Sequence, residues 1–214
     1  MNAAVQVRLY RPRDLDAIRR ICCDTADRGG PVDHFFRDRD VVADMLLRCY
    51  IEEEPGALWV AEVDGRVVGY LTGCLDGRRY QQAMHRRVVP TAVIKAIGHG
   101  ALWQAQTWRF FRDGIITWLR GGLDHRVPMD RYPAHLHVNV QAGFRGAQIG
   151  RALMEQFFAQ VRAAGLPGIH AVVREDNPAA CAFFERLGFT RVSRHPSTLV
   201  SGQPHYTVIY GKPL

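Results

Sequence analysis

The sequence predicts a mixed α/β domain, with a central sheet of about six to seven strands and helices on both faces of the sheet. Three stretches of the 214-residue chain support this prediction. Residues 58–75 hold two strand-like runs, residues 135–173 alternate strand, loop, helix and strand, and residues 190–212 hold a last strand pair. A hairpin followed by a parallel crossover is typical of a mixed sheet.

The elements follow one another regularly along the chain. Residues 5–11 alternate as a strand, and Asp14 is expected to cap a helix that runs to about residue 26. Residues 38–50 repeat apolar side chains at helical spacing. Asp64 and Gly65 form a hairpin turn between predicted strands at 58–63 and 66–75. The later predicted elements are strands at 135–141, 169–173, 190–193 and 206–212, and helices at 151–164 and 179–187, the last of them ended by Gly188.

Composition indicates one globular domain over residues 1–214 rather than two domains. The formal net charge of +7 suits nucleic acid or a polyanionic small ligand. No helix-turn-helix, zinc-finger or aromatic RNA-binding pattern is found, so no nucleic-acid partner is expected. An apolar run of about eighteen residues is also lacking, which predicts no membrane span. Because the N-terminus lacks a signal pattern, we expect a cytoplasmic protein.

The five cysteines are odd in number and lack metal-binding spacing. This pattern predicts reduced thiols and no metal site. Cys181 falls on the apolar face of its predicted helix, which favours a packing role over a nucleophilic one.

Residues 138–151 are the most informative stretch, because a β-branched run there ends in a glycine-containing loop that leads into a helix. The first N–H groups of a helix lack internal partners, and together with the helix dipole they favour a bound phosphate. Arg145 and Arg151 add positive charge, while Gly146 and Gly150 permit close approach of a ligand. The segment is neither a Walker loop nor a dinucleotide fingerprint, and alone it is also compatible with an ordinary turn.

A second stretch of sequence narrows the interpretation of this loop to one family of proteins. Residues 140–150 resemble the Val-x-Pro-x-x-Arg-Gly-x-Gly-x-Gly loop of the GNAT family of acyl-CoA-dependent N-acyltransferases. Residues 177–189, NPAACAFFERLGF, resemble that family's Asn-x-x-Ala-x-x-x-Tyr-x-x-x-Gly-Phe signature. The resemblance covers nearly the whole chain outside about 80–130. Residues 10–30, 135–140 and 172–189 are also similar to bacterial GNAT proteins related to the acetyltransferase-like domain of O-GlcNAcase. Some members of that group are thought to bind acyl-CoA without obvious catalytic residues.

The resemblance implies a GNAT fold in which two parallel strands splay apart, and acetyl-CoA as co-substrate. In relatives the pantetheine arm pairs with the splayed strand, which implies a role for the backbones of Asn139 and Val140. A backbone N–H there is expected to face the thioester carbonyl as an oxyanion donor. The cofactor-binding residues implied are Asn139, Val140, Arg145, Gly146, Ala147, Gln148, Ile149, Gly150, Arg151, Asn177 and Phe184.

The chain departs from the family pattern at three positions. Gln148 replaces the middle glycine of the loop, which we expect to be tolerated because the N–H groups bind the phosphates. Phe184 stands where many relatives carry a tyrosine that protonates the thiolate, and Val172 where some carry a glutamate base. Both acid–base positions are therefore apolar, although positioning alone can supply much of the rate.

Replacement catalytic groups are weakly indicated. His137 and Asn139 lie on one face of the strand before the loop, and His137 has the intrinsic pKa of a base near neutrality. A histidine hydrogen-bonded within the sheet is the competing interpretation, whereas Asn139 can only orient the amine or a water. The weaker candidates are His170 as a base, Tyr206 and Tyr210 as hydroxyl donors, and Glu175 and Asp176, which suit capping or solvent-facing roles better.

Two functions follow. The first is an acetyl-CoA-dependent N-acetyltransferase acting on a primary amine of a small molecule or peptide, by direct transfer. The second is an acyl-CoA-binding pseudo-acetyltransferase that acts as a binding or sensing module. The resemblance implies that specificity for the acceptor comes from loops outside the two motifs, here at 28–40, 80–130 and 194–205.

Residues 80–130 exceed a minimal domain of this family, and their apolar residues predict one or two amphipathic helices with basic neighbours. Such an insert is compatible with a helical cover on the sheet, with a wall of the acceptor pocket or a dimer contact, or with attachment to an anionic membrane surface. The terminal strands offer a second surface for a homodimer.

Overall fold

The computed structural model describes residues 5–33, 36–100, 127–197 and 205–214, with isolated positions between 105 and 116. The strands are β1 Gln6–Leu9, β2 Leu58–Val63, β3 Arg66–Cys74, β4 Ala134–Val140, β5 Gly168–Arg174, β6 Thr190–Ser197 and β7 His205–Pro213. The helices are α1 Leu15–Thr25, α2 Arg39–Glu53, α3 Gly77–Ala83, α4 Val89–Gly98, α5 Ile149–Ala163 and α6 Pro178–Arg186.

The strands form one seven-stranded sheet in the order β1-β2-β3-β4-β5-β7-β6. Neighbouring strands are antiparallel except β4 and β5, which are parallel and joined through α5. The predicted mixed sheet with one parallel crossover is confirmed. The β2–β3 hairpin also turns as expected, because Asp64 and Gly65 both have positive φ, at 48° and 74°.

Two apolar clusters cover opposite faces of the sheet. One lies beneath α5 and α6 and includes Leu136 and Phe157, and the other lies beneath α1, α2 and α4 and includes Ile18 and Leu47. Side chains alternate across a strand, so successive residues of β4 face different clusters. Helices on both faces are thus confirmed, and β4 and β5 lie between the two layers.

Several helix ends follow the predicted chemistry. The Asn177 side chain accepts a hydrogen bond from the Ala180 N–H at 3.1 Å and caps α6. Gly188, with φ 81°, ends α6, and the Phe189 N–H donates to the Phe184 carbonyl at 3.1 Å. Helix α5 begins at Ile149 rather than at residue 151, because Gln148 adopts a left-handed conformation at its N-cap.

Asp14 does not cap α1, and that prediction is wrong. Its carboxylate instead accepts hydrogen bonds from Arg8 Nη1 at 2.7 Å and from the Arg11 N–H at 2.8 Å. An arginine on β1 competes for the carboxylate that sequence pattern alone assigns to the helix start. The ion pair with Arg8 and the Arg11 hydrogen bond hold the pKa of Asp14 below its usual range.

The insert begins with three short helical segments, α3, a π-helical turn at Met84–Val88 and α4. Ala92 and Ala96 of α4 are buried in the cluster beneath α1 and α2, whereas Ile94 and Ile97 are 69% and 50% exposed. The apolar residues predicted farther on lie outside the described residues: Leu102, Trp103, Phe110, Phe111, Ile115, Trp118 and Leu119.

All five cysteines fall in the described ranges and are buried free thiols. Cys181 packs in the cluster beneath α5 and α6, in agreement with a packing role. Within the described ranges, every helix is too short or too polar to cross a bilayer.

Candidate cofactor and acceptor site

The parallel strands β4 and β5 separate along their length. They pair only at Ala134 with Ile169 and at His135 with His170. Both strands are described to their ends, yet no further pairing joins them as they run on to Val140 and Arg174. The expected splay is therefore present, and we refer to the opening between the two strands as the wedge.

The register of β3 and β4 decides which backbone groups face the wedge. The Gln141 N–H donates to the Val68 carbonyl at 2.9 Å, and Asn139 lies opposite Tyr70. Because N–H and C=O groups alternate sides along a strand, the backbone of Asn139 faces β3, and those of Val138 and Val140 face the wedge. The expectation for the Asn139 backbone is corrected, while that for Val140 agrees with the register. The alternation of backbone groups along β4 also places the backbone of Val138 on the wedge side, a residue that the sequence alone did not indicate.

The loop after β4 places unpaired backbone N–H groups at the open end of the wedge. Gly146 has φ 84° and Gln148 has φ 62°, and α5 begins at the next residue. The first backbone hydrogen bond of the helix runs from the Ala152 N–H to the Gln148 carbonyl at 3.0 Å. The N–H groups that precede Ala152 in the first turn thus lack intrahelical acceptors, which suits a phosphate group.

The two arginines of the loop have neighbours of their own. Arg145 Nη2 donates to the Gly29 carbonyl at 2.7 Å, and its Nε donates to the Val140 carbonyl at 3.2 Å. Arg151 forms an ion pair with Glu155 at 2.9 Å. Both guanidinium groups place positive charge beside the loop, but part of their hydrogen-bonding capacity is used within the protein.

The segment after α1 connects the two sides of the wedge. Asp27 and Gly30 bond to each other through their backbones, and Arg145 holds Gly29 from the β4 side. From the other side, Arg174 at the end of β5 donates to Asp27 Oδ1 at 3.0 Å. Residues 26–30 therefore cross the open end of the wedge, a placement that no local sequence signal indicates.

Histidines gather on the face of the sheet that α1 and α2 cover. The His135 ring lies 4.9 Å from the rings of both His137 and His170. His135 Nδ1 is 2.9 Å from the Tyr50 hydroxyl, and His170 Nδ1 is 2.8 Å from the Tyr132 carbonyl. The hydrogen bond and burial of His170 give it a structural role at the closed end of the wedge.

His137 differs from these neighbours. Its half-buried ring makes edge contacts with Tyr50 at 5.9 Å and His135 at 4.9 Å. Its ring nitrogens form no hydrogen bond with any residue that the structure describes, so the interpretation as a hydrogen-bonded sheet histidine is not supported. Burial, followed by repulsion from His170, lowers the pKa of His137 from 6.5 to about 4. At neutral pH the ring is an uncharged imidazole beside the wedge.

Phe184 lies in the core beneath α6, where it is 6% exposed and contacts Phe189 and Tyr210. The neighbouring Phe183 is half-buried and lies against the loop, since a Cβ added at Gly150 would stand 3.1 Å from its ring. Phe183 is a residue that motif matching missed, because the signature marks the next position.

The remaining candidates for catalytic groups already bind other residues of the protein. The buried Tyr210 hydroxyl donates to Glu185 at 2.8 Å, and the exposed Tyr206 ring lies under the Arg194 guanidinium. Glu175 pairs with Arg194, and Asp176 pairs with Arg174, each at 2.7 Å. These contacts agree with a core role for Tyr210, an edge role for Tyr206 and surface roles for Glu175 and Asp176. Over the part of the chain that is described, no group of three or more His, Cys, Asp or Glu side chains is arranged to hold a metal.

Comparison with known proteins identifies the family. Residues 24–189 match the acetyltransferase (GNAT) family. An acetyltransferase of Pectobacterium atrosepticum is 38% identical over 79 residues, which are 36% of this chain and 52% of that protein, so the match spans about half of this curated relative.

Solved structures agree on the fold. SsHAT is 27% identical, with a TM-score of 0.72 over 98% of both chains. The yncA protein of Salmonella typhimurium, solved with its cofactor acetyl-CoA, is 18% identical, with a TM-score of 0.61 over 99% of this chain and 94% of that one. The chain belongs to the GNAT family of acetyltransferases.

Proposed function

We propose that this protein is an acetyl-CoA-dependent N-acetyltransferase that transfers an acetyl group directly to a primary amine of a small molecule or peptide. The observation that supports this proposal best is the wedge, whose open end meets the unpaired N–H groups at the start of α5. Acetyl-CoA supplies an activated acetyl thioester, and the yncA relative was solved with that cofactor.

The residues of the wedge suit this co-substrate. Val138 and Val140 present backbone donors and acceptors that an extended pantetheine arm matches as an added strand. The N–H groups from Gly146 to Arg151 suit a pyrophosphate, whereas that of Arg145 donates to the Ala142 carbonyl. Open space surrounds Gly146, where an added Cβ would meet nothing within 4 Å. We assign the Val140 N–H to the thioester carbonyl oxygen, where a fixed donor stabilises the developing charge.

The catalytic roles fall to His137 and Asn139. The neutral imidazole of His137 accepts the proton that the amine loses, and Asn139 orients the amine for attack. A base with a pKa of about 4 is weak, so most of the rate must come from positioning and from the oxyanion donor.

A second candidate function is an acyl-CoA-binding pseudoenzyme. It is favoured by the absence of a free acid near the wedge within the described residues. Phe184 has no hydroxyl, and the Tyr210 hydroxyl is held by Glu185. Under this alternative the wedge binds acyl-CoA, and no acetylated amine is formed.

Calorimetric titration of acetyl-CoA and CoA tests the site, with Arg151→Pro and Arg151→Ala as a matched pair. The Arg151 N–H has no intrahelical acceptor, so proline at this position removes one N–H donor without breaking a helix hydrogen bond, whereas alanine removes only the charge. Circular dichroism of both variants checks that α5 is retained. We expect the proline variant to bind acetyl-CoA about tenfold more weakly than the alanine variant, as for a lost charge-assisted hydrogen bond. Equal affinities would contradict a phosphate site at this turn.

Release of CoA in the presence of a panel of primary amines then separates the two functions. Turnover with any amine supports the enzyme. Tight binding of acetyl-CoA with no turnover across the panel supports the pseudoenzyme. Absence of binding at millimolar ligand overturns both, since both need the same cofactor site.

A further inference from the structure

The side-chain amide of Asn139 is locked in one orientation. Its Nδ2 donates to Thr25 Oγ1 at 2.8 Å and to the Tyr70 hydroxyl at 3.1 Å. Thr25 Oγ1 stands 2.6 Å from the Ile21 carbonyl, to which it donates its single proton. Thr25 can therefore only accept from Asn139, and the group facing it must be the NH₂. The orientation follows from the hydrogen bonds and is not a free choice between oxygen and nitrogen.

This lock leaves Oδ1 of Asn139 without a donor. Both protons of the NH₂ group are used, and no residue in the described ranges donates to the oxygen. Asn139 is half-buried on the strand that borders the wedge. Oδ1 is not among the buried side-chain atoms without a partner, so it is open to a ligand. A carbonyl oxygen that is held in one orientation and is accessible can accept an N–H or O–H group of a substrate.

His137 provides a second acceptor beside the first. It lies two residues earlier on the same face of β4, which places the two side chains about 6.6 Å apart along the strand. A neutral imidazole has one acceptor nitrogen. One small group between the two side chains can therefore donate to both.

We propose that Thr25 and Tyr70 are positioning residues that present Asn139 Oδ1 to the acceptor nitrogen, and that Asn139 and His137 together select primary amines over secondary amines and alcohols. The inference rests on the proposed function. A neutral primary amine has two N–H bonds and one lone pair, so it satisfies both acceptors and keeps the lone pair for the thioester carbon. A secondary amine or an alcohol has one N–H or O–H bond and leaves one acceptor unpaired.

The proposed acetyl transfer proceeds with these groups as follows. The amine nitrogen bonds to the carbonyl carbon, and the carbon–sulfur bond breaks with its electron pair leaving on sulfur. The N–H proton that faces the imidazole passes to His137 and from there to solvent. The second N–H stays hydrogen-bonded to Asn139 Oδ1 and becomes the N–H of the amide product.

The test compares a primary amine with its N-methyl counterpart at saturating acetyl-CoA. The variants are Asn139→Ala, Tyr70→Phe and Thr25→Val, with Thr25→Ser as the matched control that keeps the hydroxyl. We expect the wild type to prefer the primary amine in kcat/KM by about tenfold, the effect of leaving one acceptor unpaired when the bound substrate has displaced its water. Asn139→Ala abolishes this preference, and Tyr70→Phe and Thr25→Val each reduce it by about threefold. Thr25→Ser keeps it, and all four variants retain the affinity for acetyl-CoA.

The ratio of the two amines separates a positioning role from a structural one. Loss of folded protein lowers both rates together and leaves the ratio unchanged, and a thermal melt measures that loss independently. A wild-type ratio in a folded Asn139→Ala variant would overturn the inference while leaving the acetyltransferase proposal intact. If the wild type binds acetyl-CoA yet acetylates no amine, the proposed function fails, and this inference fails with it.

Discussion

Arg145 Nη2 lies 2.7 Å from the carbonyl oxygen of Gly29, a contact between residues 116 positions apart. It ties the loop proposed to hold the pyrophosphate to the segment that crosses the open end of the wedge. One guanidinium group thus joins the loop after β4 to residues 26–30.

Substitution of Gly29 by alanine tests this contact. Gly29 has φ 85°, and an added Cβ would stand 2.8 Å from Arg145 Nη1, so the flexible guanidinium must move away. Gly65→Ala is the matched control, since it has φ 74° and an added Cβ there meets nothing within 4 Å. Each substitution costs about 1 kcal/mol of backbone strain, and Gly29→Ala loses about 1 kcal/mol more with the hydrogen bond. Urea denaturation measures both, and equal losses would mean that the Arg145 contact does not contribute to stability.

The local geometry of the two motif segments is the part that the sequence predicts well. The helix start after β4 and the Asn177 cap depend on local chemistry: unpaired N–H groups at a helix start and an amide side chain that accepts from a nearby N–H. The hairpin at Asp64 and Gly65 is predictable for the same reason. In each case the residues that decide the structure lie within a few positions of one another.

Contacts across the fold are the part that sequence does not predict. Thr25 and Asn139 are 114 positions apart, and nothing near either residue indicates that they meet. The predicted capping role of Asp14 is wrong for a related reason. Arg8 on β1 binds the carboxylate that would otherwise accept a hydrogen bond from the start of α1. Asn139, proposed to orient the acceptor, is held by such contacts, which explains why the sequence alone indicates its role only weakly.

Substitution of Gln148 by glycine tests the conformation of the loop before α5. Its φ of 62° is unfavourable for a residue with a side chain, so Gln148→Gly relieves strain and raises the free energy of unfolding by about 0.5 kcal/mol. Ala147→Gly, at a neighbour without positive φ, lowers it by about the same amount. Because the N–H donors are unchanged, calorimetry should give an acetyl-CoA affinity within about threefold of the wild type. A much larger gain in affinity would show that the glutamine side chain obstructs the phosphates.

Phe184→Tyr is expected not to increase the rate of acetyl transfer. The ring lies in the core against Phe189 and Tyr210, so the new hydroxyl is buried rather than presented to a leaving thiolate. A buried hydroxyl without a partner costs about 1–3 kcal/mol, which a denaturation curve would detect. An increase in kcat at unchanged stability would show instead that position 184 reaches the reacting sulfur.

Thr72 is a buried threonine whose hydroxyl finds no hydrogen-bond partner among the described residues. It lies opposite His137 on β3 and is 0% exposed. Thr72→Val keeps the shape and removes the unpaired hydroxyl, so we expect a gain of about 1 kcal/mol in the free energy of unfolding. A loss of stability in urea would mean that a water bound in solution pairs with the hydroxyl.

The lowered pKa of His137 makes stability depend on pH in a defined direction. The imidazole has a pKa of about 4 in the folded chain against 6.5 unfolded, so between these values the unfolded chain binds the proton more readily. This contribution to stability is present above about pH 6.5 and is lost as the pH falls towards about 4. We expect the wild type to lose about 2 kcal/mol more than His137→Gln between about pH 7 and pH 4.5, since the glutamine cannot titrate. Carboxylates that titrate in this range affect both proteins alike and cancel in the difference. Parallel pH profiles for the two proteins would show that His137 takes up its proton in the folded state without cost, and the imidazole would then be charged at mildly acidic pH.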